Sequence, residues 1–397
     1  MQYRWKGYNI MIYKKRKFNQ LNDNRKITVA HIVQSPGGVE RYLHSLLKYL
    51  NHDKIDNILI CSHDYVGENY INLVGTFENV DMIRAISPSY DIKALIQIRK
   101  LLKKYQPDIV YCHSSKAGVL GRIANLGMKN KCIYNAHGWA FKMLTKKSQI
   151  FIFSTIEKIL APFCNKIICI SAAEKKSAIE KHICSNDKAC IIYNGIDFDE
   201  CEKDNAVVYK EELNIPSNAY VIGYVGRLSS QKAPDIYVKA AKIIKEKIPT
   251  AFFLMVGDGE DREKVEKQIK DYDLIDSVKI TGWVTNPMSY IKLFDVATLV
   301  SRWEGFGLVL PEYMLAGKPI VATKIDAIPN IVTDRLNGTL VDMDDYNAVA
   351  RGVIELFENA DLCKAYVTAG KEIVRDRFNA ERMAREHENL FEHLIKN

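Results

Sequence analysis

The chain alternates short, continuously apolar segments with longer segments that are apolar at helical spacing. Continuous runs rich in Ile and Val are typical of buried strands in a parallel sheet, and the longer segments are typical of amphipathic helices. The alternation predicts an α/β fold in which helices cover both faces of parallel sheets. The strands are expected at 26–33, 57–61, 108–113, 132–139, 166–171, 220–226, 252–259, 278–284, 295–300, 320–322 and 340–341.

Two domains are predicted, because 397 residues can fill two apolar cores. An Asn194-Gly195 turn closes the first series of strands, and an acidic stretch at 199–204 begins the second. The predicted units are a basic N-terminal extension at 1–25, a first domain at 26–196, a second domain at 197–379 and a C-terminal helix at 380–397. The extension lacks the apolar core and cleavage site of a secretory signal, and no apolar run reaches the roughly 20 residues that span a bilayer.

The segment 148–163 predicts a strongly apolar helix that Glu157 and Lys158 interrupt. Helices that are apolar on most sides are usually buried, so we expect this one in the core of the first domain. A position on a membrane surface is the alternative.

Charge is unevenly distributed along the chain. Residues 1–190 contain 30 lysines and arginines against 14 acidic residues, a net +16, whereas residues 191–397 contain 26 against 34, a net −8. A basic first half suits an anionic membrane surface or a phosphorylated acceptor. Undirected accumulation of surface lysine is the alternative. No nucleic-acid-binding motif accompanies the charge, so nucleic acid is not an expected partner.

Nine cysteines are scattered through the chain without a C-x-x-C pair. An odd number without metal-ligand spacing predicts reduced thiols in the cytoplasm. No metal ligands are therefore assigned from the sequence.

The stretch 301–323 combines a strand end, a glycine turn, a short helix and a second strand. Gly305 and Gly307 bracket Phe306, a spacing that lets the backbone approach a ligand closely. The N–H groups of Phe306, Gly307 and Leu308 lie at the start of the predicted helix, where a phosphate or sugar oxygen is favoured.

Two carboxylates flank this glycine turn. Glu304 precedes it, and Glu312 lies about one turn inside the helix. Carboxylates on two sides of one cavity can accept hydrogen bonds from vicinal diols, one from a sugar and the other from a ribose. The alternative is structural, with Glu304 as a helix cap and Glu312 on a solvated helix face.

Two other loops have the residue types of a diphosphate site. Gly37 and Gly38 follow a strand and precede a helix, a layout that seats a diphosphate on backbone amides, although a tight βα turn uses the same residues. Arg227 follows another strand and Lys232 lies five residues on, so a guanidinium and an ammonium converge on one loop. Generic surface cations are the alternative for this second pair.

Two histidines are expected at the carboxyl ends of strands, where α/β sheets bind ligands. His137 lies beside Gly138, and its alternative role is structural. His113 and Lys116 are candidates for acceptor binding, with helix capping as the alternative.

Together these stretches resemble the motifs of glycosyltransferase family 4, the retaining, nucleotide-sugar-dependent enzymes of the GT-B architecture. The matching residues are Glu304 and Glu312 (E-x7-E), Arg227 and Lys232 (G-R-x4-K), the Gly-Gly-Val-Glu loop at 37–40 and the His-Gly pair at 137–138. Within the family, the likeness is greatest to bacterial enzymes that build capsular, exopolysaccharide or O-antigen repeat units on a lipid carrier.

The resemblance implies two Rossmann-like, doubly wound parallel-sheet domains that face each other across a cleft. The first would bind the acceptor and the second the nucleotide-sugar donor, with the helix at 380–397 crossing back onto the first domain. His137 would line the donor sugar, while Trp283 and Val284 would contact the nucleobase; a core position is the alternative for Trp283. The implied donor-binding residues are Gly37, Gly38, Arg227, Lys232, Trp283, Val284, Glu304, Gly305, Phe306, Gly307, Leu308 and Glu312, and the catalytic residues are His137, Arg227, Lys232 and Glu304.

The sequence is interpreted as that of a retaining glycosyltransferase. It would move a hexose or N-acetylhexosamine from a nucleotide sugar, expected to be UDP-linked, to a polyprenyl-diphosphate-linked saccharide. No DxD-like motif lies in a suitable loop, and basic residues can replace a metal, so neither metal nor cofactor is expected. The enzyme would act from the cytoplasm on the inner face of the cytoplasmic membrane. The alternatives are a nucleotide-sugar epimerase or phosphorylase of the same fold, and a non-catalytic nucleotide-sugar-binding scaffold.

Overall fold

A computed structural model describes residues 25–142, 146–203 and 208–396. The predicted N-terminal extension lies outside these described residues except for Arg25. Two sheets, each composed of parallel strands, organise the described part of the chain, which confirms the predicted α/β class. Of the described helices, none combines the length and apolarity needed to cross a bilayer.

Seven parallel strands form the first sheet. In chain order they are β1 (Ile27–Val33), β2 (Ile55–Cys61), β3 (Thr76–Asn79), β4 (Ile109–His113), β5 (Lys131–Asn135), β6 (Lys166–Cys169) and β7 (Ala189–Ile191). Their spatial order is β3-β2-β1-β4-β5-β6-β7. The winding reverses between β1 and β4, and doubly wound sheets bind ligands at the carboxyl ends of such a pair.

Five helices accompany the first sheet. They are α1 (Gly38–Tyr49), α2 (Pro88–Tyr105), α3 (Ser115–Ala124), α4 (Lys147–Leu160) and α5 (Ala172–Glu180). Apolar residues of α2, α3 and α5 join one face of the sheet in a single core, with the inward side of α4 packed against it. The buried leucines of α1 lie in a second core on the opposite face.

Six parallel strands form the second sheet, in the order β10-β9-β8-β11-β12-β13. They are β8 (Tyr220–Val225), β9 (Ala251–Val256), β10 (Val278–Ile280), β11 (Val296–Leu299), β12 (Ile320–Thr323) and β13 (Thr339–Val341). The accompanying helices are α6 (Phe198–Lys203), α7 (Pro234–Lys247), α8 (Arg262–Asp271), α9 (Pro287–Ile291), α10 (Val309–Leu315), α11 (Tyr346–Glu358) and α12 (Ala360–Arg377). Two apolar cores again lie on the two faces of the sheet.

The chain passes between the two sheets twice, and the two passages touch. The Ile196 N–H donates to the Phe378 carbonyl at 2.8 Å, and the Ala380 N–H donates to the Ile196 carbonyl at 3.0 Å. After the second passage, α13 (Ala380–Lys396) packs against α1. Its buried Met383 and Phe391 join the core on that face of the first sheet.

Two features of the first domain differ from the sequence-based expectation. The sequence analysis does not predict the two edge strands, β3 and β7, because Thr-Phe-Glu-Asn is half polar and Ala-Cys-Ile is only three residues long, so neither forms a buried apolar run. The expectation that the helix at 148–163 belongs to the core is wrong for its outward face. Phe151 and Ile159 are exposed there, whereas Phe153 packs inward.

Candidate active site

A cavity of about 950 Å³ lies between the carboxyl ends of the two sheets. The first domain contributes the start of α1 to its wall, and the second contributes the segments that follow β8, β9 and β10. The residues predicted to bind the donor that line it are Arg227, Trp283, Val284, Leu308 and Glu312. The structure therefore brings these residues, which are far apart in the chain, to one space.

Lys232 and Glu304 form an ion pair next to Gly226, which lines the cavity. The Ser301 hydroxyl donates a second hydrogen bond to the same carboxylate oxygen of Glu304 over 2.7 Å. Glu304 does not cap a helix, since α10 begins only at Val309. Two donors hold the carboxylate in place, and neither Glu304 nor Lys232 belongs to the cavity lining itself, so the ion pair lies behind Gly226.

Arg227 and Trp283 extend this wall of the cavity. Arg227 is exposed, and its guanidinium has no salt-bridge partner in the described part of the chain. Trp283 is 69% exposed, which excludes the core position that was its alternative. A cation and an aromatic ring are thus both available to a ligand in the cavity.

Glu312 is buried on α10 and does not lie on a solvated helix face. Its Oε1 pairs with the guanidinium of Arg41 on α1, so this ion pair joins the two domains. Its Oε2 is buried and has no hydrogen-bond partner among the described residues. Burying an oxygen without a hydrogen-bond donor costs free energy, so Glu312 is suited to accept a hydrogen bond from a ligand hydroxyl.

Two glycine turns from different domains meet backbone to backbone at the site. A Cβ added to Gly305 would lie 2.9 Å from the carbonyl oxygen of His137, and one added to Gly138 would lie 3.2 Å from the Gly305 Cα. Gly307 has φ 87°, which a glycine adopts without strain. The structure therefore places the His-Gly pair directly against the Gly-Phe-Gly turn.

The turn at His137 is held in an unusual conformation. His137 has φ 53°, in the left-handed region that costs a non-glycine residue about 1 kcal/mol or more. The Asn135 side-chain oxygen accepts the His137 N–H at 2.9 Å, and Glu174 accepts the Gly138 N–H at 2.8 Å. The other Glu174 oxygen accepts the Ile170 N–H at 2.7 Å, so one buried carboxylate ties the turn to the start of α5.

Burial raises the pKa of Glu174 to about 7, although its two backbone hydrogen bonds oppose the shift. The carboxylate that supports the His137 turn therefore titrates near neutral pH.

Three histidines and an asparagine form a hydrogen-bonded line beneath the site. His137 Nε2 lies 3.0 Å from His113 Nδ1, His113 Nε2 lies 3.2 Å from His31 Nδ1, and His31 Nε2 lies 3.2 Å from the Asn57 oxygen. Asn57, His31 and His113 lie on β2, β1 and β4, and His137 follows β5; these strands are neighbours in the sheet order β2-β1-β4-β5. With the Asn57 oxygen facing His31, each Nε2–H donates along the line, and His137 Nδ1 is left without a proton.

These imidazoles are neutral at physiological pH. Burial lowers the pKa of His31 to about 4 and that of His137 to about 3. Burial, helped by the neighbouring histidines, also moves the pKa of His113 well below its usual value. His113 thus supports His137 from behind, and it does not cap α3, whose N-cap is Ser114.

The C-terminal helix reaches under the same site. His387 of α13 donates from Nδ1 to the Met383 carbonyl at 2.7 Å, so its Nε2 accepts from Tyr42 at 2.8 Å. The Tyr42 ring lies edge-on to His137 with centroids 4.5 Å apart. Burial lowers the pKa of His387 to about 4, which makes a fourth neutral imidazole.

Four other candidate residues have more limited roles in the structure. Gly37 is the N-cap of α1 and Gly38 is its first residue, and both are exposed. The Phe306 side chain is buried in the core of the second domain, which leaves only its backbone to a ligand. Lys116 pairs with Asp91 of α2 at 2.7 Å and is absent from the cavity wall.

The sequence analysis does not identify Arg41, Glu174, His31 or Asn57. Only Glu174 has a local signal, because Ser171 and Glu174 have capping-box spacing and the Ser171 hydroxyl accepts the Glu174 N–H. The other three act through partners on distant segments. Among the described residues, no group of three or more His, Cys, Asp or Glu side chains could hold a metal ion, and metal independence stays a prediction.

Comparison with known proteins gives the family. The model described as "Glycosyltransferase Family 4" matches residues 36–200, and "Glycosyl transferases group 1" matches residues 208–373. An Escherichia coli relative named UDP-Gal:alpha-D-GlcNAc-diphosphoundecaprenol alpha-1,3-galactosyltransferase is 30% identical over 365 residues, or 88% of this chain and 94% of the relative. The capsular polysaccharide biosynthesis glycosyltransferase CapM of Staphylococcus aureus is 25% identical, with 88% and 93% covered.

Solved structures agree on the architecture. A glycosyltransferase from Rickettsia africae superposes with a TM-score of 0.78 at 22% identity, over 94% of this chain and 99% of the other. Anabaena Alr3699/HepE, solved in complex with UDP, superposes with a TM-score of 0.76 at 20% identity, over 93% and 100%. The fold is therefore that of the GT-B glycosyltransferases. The chain belongs to glycosyltransferase family 4, as its motifs suggested, and it is a transferase.

Proposed function

We propose that this enzyme is a retaining, metal-independent glycosyltransferase. It moves a hexose or N-acetylhexosamine from a UDP-sugar to a polyprenyl-diphosphate-linked saccharide. The product belongs to a surface polysaccharide, namely a capsule, an exopolysaccharide or an O-antigen. The observation that carries the proposal is one interdomain cavity that Arg227 and Glu312 line, with an open oxygen on Glu312 and with the Lys232–Glu304 pair next to the lining residue Gly226.

The chemistry begins with charge on the leaving group. Cleavage of the bond between sugar and diphosphate leaves negative charge on UDP, which the guanidinium of Arg227 and the ammonium of Lys232 stabilise. A fixed donor aimed at developing charge contributes about 3 kcal/mol. Two cations on one loop support a reaction without a metal ion, because they supply the charge that a metal would supply.

The proposed retention uses the departing phosphate, not a protein carboxylate, because Glu304 and Glu174 are already engaged by other partners. Of the described carboxylates, Glu304 is engaged by Lys232 and Ser301, and Glu174 is engaged by two backbone N–H groups. The departing phosphate then accepts the proton of the acceptor hydroxyl on the same face of the sugar. His137 and its carbonyl, which are neutral, face the oxocarbenium-like carbon.

The relative's name supports the choice of donor and acceptor. The Escherichia coli relative is named for transfer from UDP-Gal to an undecaprenol-diphosphate-linked GlcNAc. The exposed ring of Trp283 is suited to stack on a uracil, and Glu312 is suited to accept from ribose hydroxyls. Because a polyprenyl acceptor stays in the bilayer, we place the enzyme at the cytoplasmic face of the membrane, where the basic first half favours anionic lipid.

The test uses the purified enzyme with a chelator, a panel of UDP-sugars and a short-chain polyprenyl-diphosphate-GlcNAc acceptor, with products read by mass spectrometry. UDP-galactose is the first donor to try. We expect transfer from one donor with its anomeric configuration kept, and loss of transfer in Glu312→Ala. Transfer that appears only when a divalent cation is added would overturn metal independence. Tight UDP binding without transfer from any donor would favour the scaffold alternative.

A further inference from the structure

Helix α4 has a second apolar face that nothing in the described structure covers. Its inward side packs on the core of the first domain through Ile150 and Phe153, and Leu160 is also buried. On the other side Ile152, Ile156 and Ile159 are exposed at spacings of four and three residues, and Phe163, four residues on, is exposed in the 3-10 turn Ala161–Phe163 that follows α4. This spacing aligns the three isoleucines on one face of a helix, and Phe151 is exposed beside them.

The charges of α4 are divided between its two sides. Lys146, Lys147 and Lys158 are exposed and have no ion-pair partner within the described ranges. Glu157, the single acidic residue in the α4 sequence, points inward. Its two oxygens pair with Arg122 at 2.8 Å and accept from the Tyr134 hydroxyl at 2.7 Å. The exposed charges of α4 and of its N-cap are therefore all positive.

We propose that this face, defined by Phe151, Ile152, Ile156 and Ile159 of α4, by Phe163 of the turn after it and by the exposed lysines, docks onto an anionic lipid bilayer. The apolar side chains enter the boundary between headgroups and acyl chains, and the lysines contact anionic headgroups. The inference deepens the proposed function and rests on its lipid-linked acceptor, because it names the surface that holds the enzyme at the membrane.

Charge complementarity favours lipid over a second copy of this chain. A two-fold interface would place the same face on both partners, so lysines would oppose lysines across it. An anionic bilayer supplies the opposite charge along the whole face. The basic balance of residues 1–190, a net +16, adds attraction of the same sign.

The position of α4 in the fold would bring a bound membrane close to the opening of the cleft. The helix follows the turn of His137 and Gly138, so it begins at the carboxyl edge of the first sheet, where the cleft opens. A bilayer held at the outward face therefore lies close to the acceptor side of the cleft. The headgroup of a lipid-linked acceptor can then reach the site without leaving the membrane.

The experiment measures sedimentation with vesicles of phosphatidylglycerol or phosphatidylcholine, in the absence of sugar substrates. The test variant is Ile152→Glu/Ile159→Glu, and the matched control is Ile275→Glu/Leu336→Glu in the second domain. The four side chains are equally exposed, at 52% and 61% against 59% and 51%, and both variants add the same charge. We expect the test variant to lose about tenfold or more in affinity for phosphatidylglycerol vesicles, and the control to bind as the unmodified enzyme does.

Two further measurements distinguish membrane docking from a failure of the proposed reaction and from an interface between two copies of the chain. Phe151→Trp should show a blue-shifted emission with phosphatidylglycerol vesicles and quenching by brominated lipid. Transfer to a water-soluble short-chain acceptor should be unchanged in Ile152→Glu/Ile159→Glu, so a failure of the proposed reaction appears in that assay alone. The proposal would be overturned if the test and control variants bound vesicles with equal affinity, or if the unmodified enzyme did not bind phosphatidylglycerol vesicles. A lipid-free dimer that the test variant dissociates would assign the face to a second copy instead.

Discussion

The two walls of the cleft differ in the charge of the side chains they place at the site. On the second domain, Arg227 and Glu312 line the cavity, and the ion pair of Lys232 and Glu304 lies behind its lining residue Gly226. On the first domain, the group that meets the Gly305 turn is His137, which is neutral and is backed by further neutral imidazoles. The exceptions are two charged residues of α1 that line the cavity: Glu40, and Arg41, which reaches across to Glu312.

This difference matches what the two parts of a nucleotide sugar require. A diphosphate and a ribose diol need fixed charges, which the second domain provides. The reacting sugar carbon gains nothing from a cation nearby, because positive charge develops on it as the bond breaks. Neutral, buried imidazoles also keep the local dielectric low, which strengthens the charged contacts opposite.

The largest effect is expected on the charged wall, for Lys232→Ala. The substitution removes a cation from the leaving diphosphate and leaves Glu304 with Ser301 alone. We expect kcat to fall by about 10²–10³, since one such donor contributes about 3 kcal/mol or more to the transition state. Steady-state kinetics with the donor that the transfer assay identifies measures this fall in kcat.

The matched control is Lys264→Ala, whose ammonium pairs with Asp261 on the exposed side of α8. It should leave kcat unchanged. A Lys232→Ala enzyme that keeps kcat within about fivefold of the unmodified protein would contradict the role of the charged wall.

A smaller effect is expected on the neutral wall, for Glu174→Gln. Glutamine has one oxygen that accepts, so either the Gly138 or the Ile170 N–H loses its partner, and the His137 turn loosens. We expect kcat to fall by about tenfold. In the unmodified enzyme kcat/KM should decline as the pH falls through about 7, because the carboxylate with a pKa near 7 becomes protonated and accepts more weakly.

That decline should be absent in Glu174→Gln, whose side chain does not titrate. Glu180→Gln, at the exposed end of the same helix, should keep both the rate and the decline. If the pH profile is identical in the unmodified enzyme and in Glu174→Gln, protonation of Glu174 does not affect catalysis through the His137 turn.

The smallest effect concerns the free energy of unfolding below pH 6.5. The buried histidines His31, His137 and His387 have pKa values of about 4, 3 and 4 in the folded chain, below the ordinary 6.5. The unfolded chain therefore binds more protons between pH 6.5 and about 4, and stability falls as the pH drops through that window. Each histidine should cost about 1 kcal/mol at pH about 5.5, measured by urea unfolding.

Glu174 acts in the opposite direction. Its raised pKa makes the folded chain bind more protons between its ordinary 4.5 and about 7, which stabilises the fold as the pH falls. Glu174→Gln should therefore lose stability more steeply on acidification than the unmodified enzyme. His52→Asn, which changes an exposed side chain, should keep the original slope. A stability that is flat from pH about 7.5 to about 5.5 in Glu174→Gln would mean that the histidines are not buried neutral.

The sequence predicts the parts of this site that are local in the chain. The glycine turn at Gly305, the loop of Arg227 and Lys232, and the strand end at His137 each lie in a short stretch with recognisable spacing. Their convergence follows from the rule that parallel strands present ligands at their carboxyl ends. The strands with continuous apolar runs are predicted for the same reason, since burial on both faces requires such runs.

What the sequence does not predict depends on sheet order and on contacts between domains. The line from Asn57 to His137 exists because β2, β1, β4 and β5 are neighbours, an order that differs from their order in the chain. The pair of Arg41 and Glu312 joins residues 271 positions apart. The outward face of α4 has the same composition as a buried face, so apolar content alone does not distinguish the two.

The two touching passages at Ile196 and Ala380 have a consequence for synthesis on the ribosome. The core beneath α1 requires α13, which supplies Met383 and Phe391 and ends the described chain. The first domain to be translated is therefore the last to be completed, because the whole second domain emerges before its final helix. A nascent chain that ends before α13 leaves an apolar side of the first sheet uncovered. The first domain can therefore complete its core only after α13 has been translated.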